Sequence, residues 1–493
     1  MKHSVKVSGA VFCIALIVYG VLAWDRLASP SPQFHFVDLA HSFLNGRVDT
    51  DTPRSRLSDE KKTPDAPRGF YRAVARQTTN PDGSRRGWND WSSYRILTLK
   101  SGEVLRGVFP WKDKKDERRH EFHSLDGTLY RIQCGRDVAR GCYGNSADVM
   151  RYHVSFPPFP GVAMMPFAAI WGYDVNDVWF TLFFAALNVL LLFRVLEALR
   201  LARYSERSLR DNLWLTAMFA FGTVHFFCSV RGEVWFTALV LGVTLHLASI
   251  WCVIDFKRPL LAGLFLGLGA ATRTPLIFGS LFIFFLAVIP LYRGRTAELR
   301  SDFNFRQALT KMVLFAIPVA VSLFALMWFN YVRFENPFEF GHSYLQEGMR
   351  ENIRQHGLMS GWFFGQNLSA ALTNPPVFTL EGGFPIRITR HGLGLLWTTP
   401  ALLLIVGSNR KTPLFWAALI TAFIVALPGL FYQNTGWVQF GYRFGLDWLP
   451  LIIVAFAVGG RRLNGFAKSL ILFGMLVNLF GAVTFGRMDS VYY

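Results

Sequence analysis

Apolar residues in this chain gather into runs close to the roughly 20 residues that cross a bilayer as helix, and this limits the fold more than any other feature. Hydrocarbon offers no partner for an unpaired backbone N–H or C=O, so such runs must be helical. The balance of residue types agrees: 52% are hydrophobic and 17% charged, where a soluble chain carries about a quarter charged. A net charge of +18 would suggest a nucleic-acid partner in a soluble protein. Here much of the excess sits in short connections between apolar runs, where it sets orientation, and no nucleic acid is expected.

Lys2 and Lys6 precede an apolar run that ends near Trp24. It reads as a retained helix, since the stretch is long for the core of a cleaved signal peptide. The segment that follows is then extracytoplasmic. Counting both 159–172 and 178–199 as spans would put Arg200, Arg203, Arg207 and Arg210 outside, against the positive-inside tendency. The first run is therefore read as an interfacial or re-entrant helix and the second as a span. Further runs lie near 213–230, 236–254, 260–272, 276–292, 312–332, 393–407, 413–431, 445–459 and 465–486. Alternate connections hold Lys257-Arg258, the basic stretch 293–311, Arg410-Lys411 and Arg461-Arg462.

The expected fold is an all-α polytopic membrane protein with about eleven transmembrane helices, the N-terminus cytoplasmic and the C-terminus outside. Its parts are a first helix (1–24), an extracytoplasmic loop (25–176), a bundle (177–332), a second outer loop (333–391) and C-terminal helices (392–493). Within the first loop, 94–109 and 121–133 each place a turn between β-prone residues and read as two small hairpins. The stretch 50–69, rich in Pro, Asp, Arg and Lys, reads as a mobile loop. Cys134 and Cys142 suit a disulfide if this loop faces an oxidising compartment. Cys13, Cys228 and Cys252 lie in apolar runs as small packing residues.

Candidate chemistry sits beside the membrane. Phe36, Leu39, Ala40, Phe43 and Leu44 recur at helical spacing around Asp38, which predicts an amphipathic interfacial helix with a carboxylate near its start. Pro157-Pro158 enforce a sharp helix entry and hold Tyr152 and His153 near the membrane surface. Arg231 and Glu233 occupy a very short turn, Arg273 lies between two apolar runs, and Arg443 and Asp447 enter another. Taken singly these are ion pairs, Arg231 with Glu233 and Arg443 with Asp447. Taken together, guanidinium groups on one face suit a phosphate or pyrophosphate at headgroup level. Neither a Walker motif nor a nucleotide fingerprint occurs, which argues against an ATP-driven pump. Cys and His are not at metal-ligand spacing.

Five stretches stand out along the chain: Ala40 to Arg47, Val154 to Pro160, Gly267 to Pro275, Asn330 to Gly341 and Gln439 to Phe444. With the order of the parts, they resemble the GT-C membrane glycosyltransferases, which include protein O-mannosyltransferases, the aminoarabinose transferase of lipid A and many bacterial relatives. The resemblance implies a sugar donor on a polyprenyl phosphate, an acceptor (glycan, lipid or protein) reached from the outer face, and residence in a bacterial inner membrane. It also implies an acidic catalytic base in the first outer loop, which falls on Asp38, with Asp49 and Asp51 in reserve. His153, Tyr152, Arg231, Glu233, Arg273 and Arg443 would bind substrate. No cofactor is required, though some relatives use a divalent metal. Two departures stand out: Leu39 follows Asp38 where the mannosyltransferases have a paired Asp-Glu, and Phe156 stands where a His precedes the prolines. The alternatives are a non-enzymatic transporter or flippase of a lipid-linked sugar, which has no need of Asp38, and an envelope scaffold.

Overall fold

The computed structural model describes residues 2–50, 67–78, 90–111, 113, 115–142, 150–254, 257–288, 305–345, 351–379, 384–460 and 463–492. The chain is mostly helical and divides into two units. A helical unit comprises Met1–Ala28, Val178–Leu323 and Met359–Tyr493; a sheet unit comprises Ser29–Asp177 and Phe324–Leu358.

Among the described residues, five helices are long and apolar enough to cross a membrane: Asp177–Leu201, Val234–Val253, Phe305–Phe334, Pro413–Phe431 and Gly465–Thr484. Val234–Val253 is the central one, with 94% of its apolar window buried, against 11% for Phe305–Phe334, whose Val321 and Phe324 stay exposed. Other apolar runs form shorter pieces. The run near 213–230 breaks at Gly222 into Leu209–Phe221 and His225–Ser229. The run near 260–272 is a helix of 12 residues, Pro259–Ala270. Pro275 and Pro400 start the 3-10 helices Thr274–Gly279 and Pro400–Gly407, because proline fits a first turn and cannot continue one.

The two expected hairpins form and merge. Strands β1 (Trp91–Leu99) and β2 (Val104–Val108) pair antiparallel, as do β3 (Glu121–Ser124) and β4 (Leu129–Arg131). Pairing of β2 with β3 joins them, and β5 (Val138–Arg140) and β6 (Met150–Val154) both add to β1. An isolated hairpin is marginal in water. The merged six-stranded sheet buries Leu97, Leu105, Phe122 and Ile132 in one cluster and Tyr94, Val108, Leu125 and Phe334 in another. A Cys134–Cys142 disulfide closes the segment beside β5.

The amphipathic helix expected around Asp38 is His35–Leu44, and it packs on Phe159–Trp171. Gly161 permits the close approach: a Cβ there would meet Leu39 at 3.0 Å. The second helix has Pro158 at its N-cap and only 13 residues, too few to span.

Candidate functional site

Asp38 sits in the first turn of the His35–Leu44 helix and is 0% exposed. A carboxylate at that end is favoured by the helix dipole, yet burial requires that its oxygens be hydrogen-bonded. Two side chains from distant sequence do this. The Trp91 indole N–H, at the start of β1, donates to Oδ2 at 2.8 Å. The Tyr173 hydroxyl donates to Oδ1 at 2.7 Å. Tyr173 follows Gly172, which ends the Phe159–Trp171 helix, so the turn that stops one helix aims a phenol at the other. The entering chain is tied as well: Ser31 donates its backbone N–H and hydroxyl to the two Asp177 oxygens at 2.8 and 2.6 Å.

The other carboxylate candidates lie elsewhere. Asp49 is ion-paired with Arg47 at 2.9 Å and Arg151 at 3.0 Å. Its burial acts to raise the pKa, but the Arg47 hydrogen bond and the two arginine charges outweigh it and hold the carboxyl below its usual range. A base held that low is weak at neutral pH. Asp51 lies outside the described residues. On β6, Tyr152 pairs with Ser93, and its carbonyl accepts from the Thr50 N–H at 2.8 Å. His153 is buried, with Nδ1 3.2 Å from the Val48 carbonyl and its ring stacked on Tyr94. Burial, then the Arg333 charge, push its pKa down to about 3, so it is a neutral packing histidine at ordinary pH. Arg333 is itself fully buried, donating to the Val154 carbonyl and to Asn330, with its guanidinium 3.9 Å from the Phe329 ring centroid.

In the helical unit, Arg231, Arg273 and Arg443 come together. Arg231 and Arg443 lie 5.3 and 5.5 Å from the Phe236 ring, and Arg273 and Arg443 lie 5.4 and 5.6 Å from the Phe444 ring. Arg231 pairs with Glu233 at 2.6 Å, as its sequence spacing suggests. Asp447 takes a different partner from the one its spacing suggests: Arg273 binds it through Nε and Nη2, both at 2.6 Å, while Arg443 donates Nη1 to the Val438 carbonyl. The fork of Arg273 matches both carboxylate oxygens. Because the pair is nearly buried, Asp447→Ala is expected to cost about 3–5 kcal/mol by stranding the Arg273 charge. Thermal unfolding in detergent measures this, and a loss under about 1 kcal/mol would mean Arg273 finds another counter-charge.

A second basic group adjoins Arg231. Arg26 donates to the carbonyls of Val230 and Phe485, and Arg487 pairs with Asp25. Gly486, at φ +68°, packs so closely that a Cβ would collide with Arg231 Nη1. Burial, then the charges of Arg231 and Arg487, push the Arg26 guanidinium down to about 9. The charges of Glu233 and Asp25 oppose the shift.

Sequence reasoning missed Trp91, Tyr173, Arg26 and Arg487. A buried indole or phenol needs a partner for its polar tip, but nothing in a sequence says which. Among the described residues no three His, Cys, Asp or Glu side chains gather as a metal set. Comparison of the chain with protein-family models, curated proteins and solved structures finds no match.

Proposed function

We propose that this chain is a membrane glycosyltransferase of GT-C type, moving a sugar from a polyprenyl-phosphate donor to an acceptor at the extracytoplasmic face of a bacterial inner membrane. The observation that supports it most is Asp38, a carboxylate kept fully buried on an amphipathic helix by two aimed donors. Ionisable groups are costly in such places and mark functional sites. In this reading the acceptor hydroxyl takes the place of one donor. The Asp38 carboxylate removes its proton as the oxygen bonds to the anomeric carbon. The bond from that carbon to the phosphate oxygen breaks, and its electron pair leaves with the lipid phosphate, inverting the anomeric centre. Within the helical unit, Arg231, Arg273 and Arg443 are the candidates for binding a lipid phosphate.

Orientation belongs to the same reading. The Cys134–Cys142 disulfide favours an oxidising compartment for the sheet unit, and the arginines between 200 and 210 favour the cytoplasm. Of the shorter apolar helices, Lys6–Leu22 is long enough to add a crossing to the five long ones.

The arginine cluster by itself also supports a flippase of the same lipid, since it needs no carboxylate at Asp38. Purified full-length protein in liposomes, given a panel of radiolabelled polyprenyl-phosphate sugars and a membrane-extract acceptor, separates the two. Label moving from donor to acceptor is the expected result. Labelled donor crossing between leaflets without transfer would replace the enzyme with the flippase.

A further inference from the structure

We propose that His35 and His41 are positioning residues for the Asp38 carboxylate, each holding by ring stacking one of the two side chains that donate hydrogen bonds to it. The inference deepens the reading of Asp38 as the working base and rests on it for its functional meaning, but not for its geometry. In an α-helix, residues three before and three after a given position flank it on the same face. His35, Asp38 and His41 have that spacing.

The two imidazoles reach the two donors in turn. His35 lies on the Trp91 ring with centroids 3.5 Å apart and planes at 20°. His41 lies on the Tyr173 ring at 4.5 Å and 5°. Phe34, one residue before the helix, closes both donors from the side, meeting Trp91 at 5.5 Å and Tyr173 at 5.8 Å in edge-on contacts. Each donor ring is thus held on one face by a histidine and at its flank by the same phenylalanine. Its one polar side-chain atom points at Asp38.

The choice of histidine has a physical reason. Two hydrocarbon rings avoid face-on overlap and slide to offset or edge-on contact, because their π-faces repel. A flat, polar imidazole accepts the parallel stack, and so fixes the plane in which the indole N–H or the phenol points. His35 is fully buried, and burial pushes its pKa down to about 3, so the stack keeps one charge state through the neutral range. Both imidazoles lie flat on aromatic rings.

The test reads the coupling without needing an assay of transfer. Full-length protein labelled with 5-fluorotryptophan is observed by fluorine NMR in detergent, and the Trp91 resonance is assigned by its loss in Trp91→Phe. A stacked ring shifts a neighbour's resonance whatever its role, so the deciding quantity is non-additivity. His35→Ala and Asp38→Asn are each expected to move the Trp91 resonance, and the double variant is expected to move it by clearly less than their sum. His35→Phe, which keeps a ring, is expected to give a smaller shift than His35→Ala and guards against loss of fold. A strictly additive double variant would overturn the proposal, leaving the histidine as packing alone. Where transfer is measurable, His35→Ala and His41→Ala should lower kcat about tenfold to a hundredfold, with donor KM little changed. A rise in KM at unchanged kcat would also overturn it. Absence of transfer by the wild type would count against the glycosyltransferase reading only, and the resonance shifts would still decide the positioning role.

Discussion

Asp38→Asn is expected to lower transfer from a labelled polyprenyl-phosphate sugar by a factor on the order of 10²–10⁴, the usual contribution of a general base, while leaving the protein folded. The structural half of that expectation follows from the donors. An indole N–H can only donate, so the asparagine must turn its single carbonyl oxygen to Trp91. That leaves its NH₂ facing Tyr173, whose hydroxyl can rotate and accept. Both hydrogen bonds survive with one reversed, and the stability loss stays within about 1 kcal/mol. Asp38→Ala strands two buried donors instead, at about 1–3 kcal/mol each, and is the poorer experiment. Transfer by folded Asp38→Asn at wild-type rate would remove Asp38 as the base. Asp49, held ionised by Arg47 and Arg151, is a weak substitute, so Asp49→Asn is expected to cost less than about tenfold. Asp51 would then be next.

The contrast between Asp38 and Asp447 shows where sequence reading reaches and where it stops. Periodicity placed Asp38 on an amphipathic helix because burial of Phe36, Leu39 and Ala40 is a local matter of which face they share. Prolines at 157 and 158 marked the next helix for an equally local reason, a fixed φ and a missing N–H. The turns within 94–109 and 121–133 marked hairpins, yet not their merger into one sheet, since strand order depends on pairings distant in sequence. Partner choice failed for the same reason. Asp447 has Arg443 four residues away and takes Arg273 instead, 174 residues distant. Trp91 and Tyr173 are 53 and 135 residues from the carboxylate they hold. Helix length was the other weak point: a run of apolar residues says that a segment is buried, but Gly222 and Pro400 decide whether it is one helix or two.

Mild acid is expected to unfold the sheet unit, with stability falling steadily from about pH 6.5 downward. Two of its buried histidines carry the effect. Burial pushes both His35 and His153 down to about 3. His35 is enclosed by Trp91 and Phe156, one turn from Asp38. His153 meets Tyr94, Phe334 and the Val48 carbonyl, with the charges of Arg333 and Arg151 opposing its protonation and that of Asp49 favouring it. In the unfolded chain each imidazole takes a proton near pH 6.5. Between those two values the unfolded state therefore binds more protons than the native state, and stability must rise with pH and fall as acid is added. Each histidine contributes a slope of about 1.4 kcal/mol per pH unit, so the pair removes about 5 kcal/mol between pH 6.5 and 4.5. That is comparable with the whole stability of many domains. Asp49 adds to the loss at the low end, because its folded pKa is depressed and its stabilisation is lost as pH falls through the carboxylate range. Thermal unfolding of the full-length protein in detergent at half-unit steps from pH 7.5 to 4.5 measures the slope, and His153→Phe should reduce it by about half. A melting temperature flat across that range would mean that both histidines accept a proton in the native state, and with it that the rings packed around Asp38 are looser than their geometry indicates.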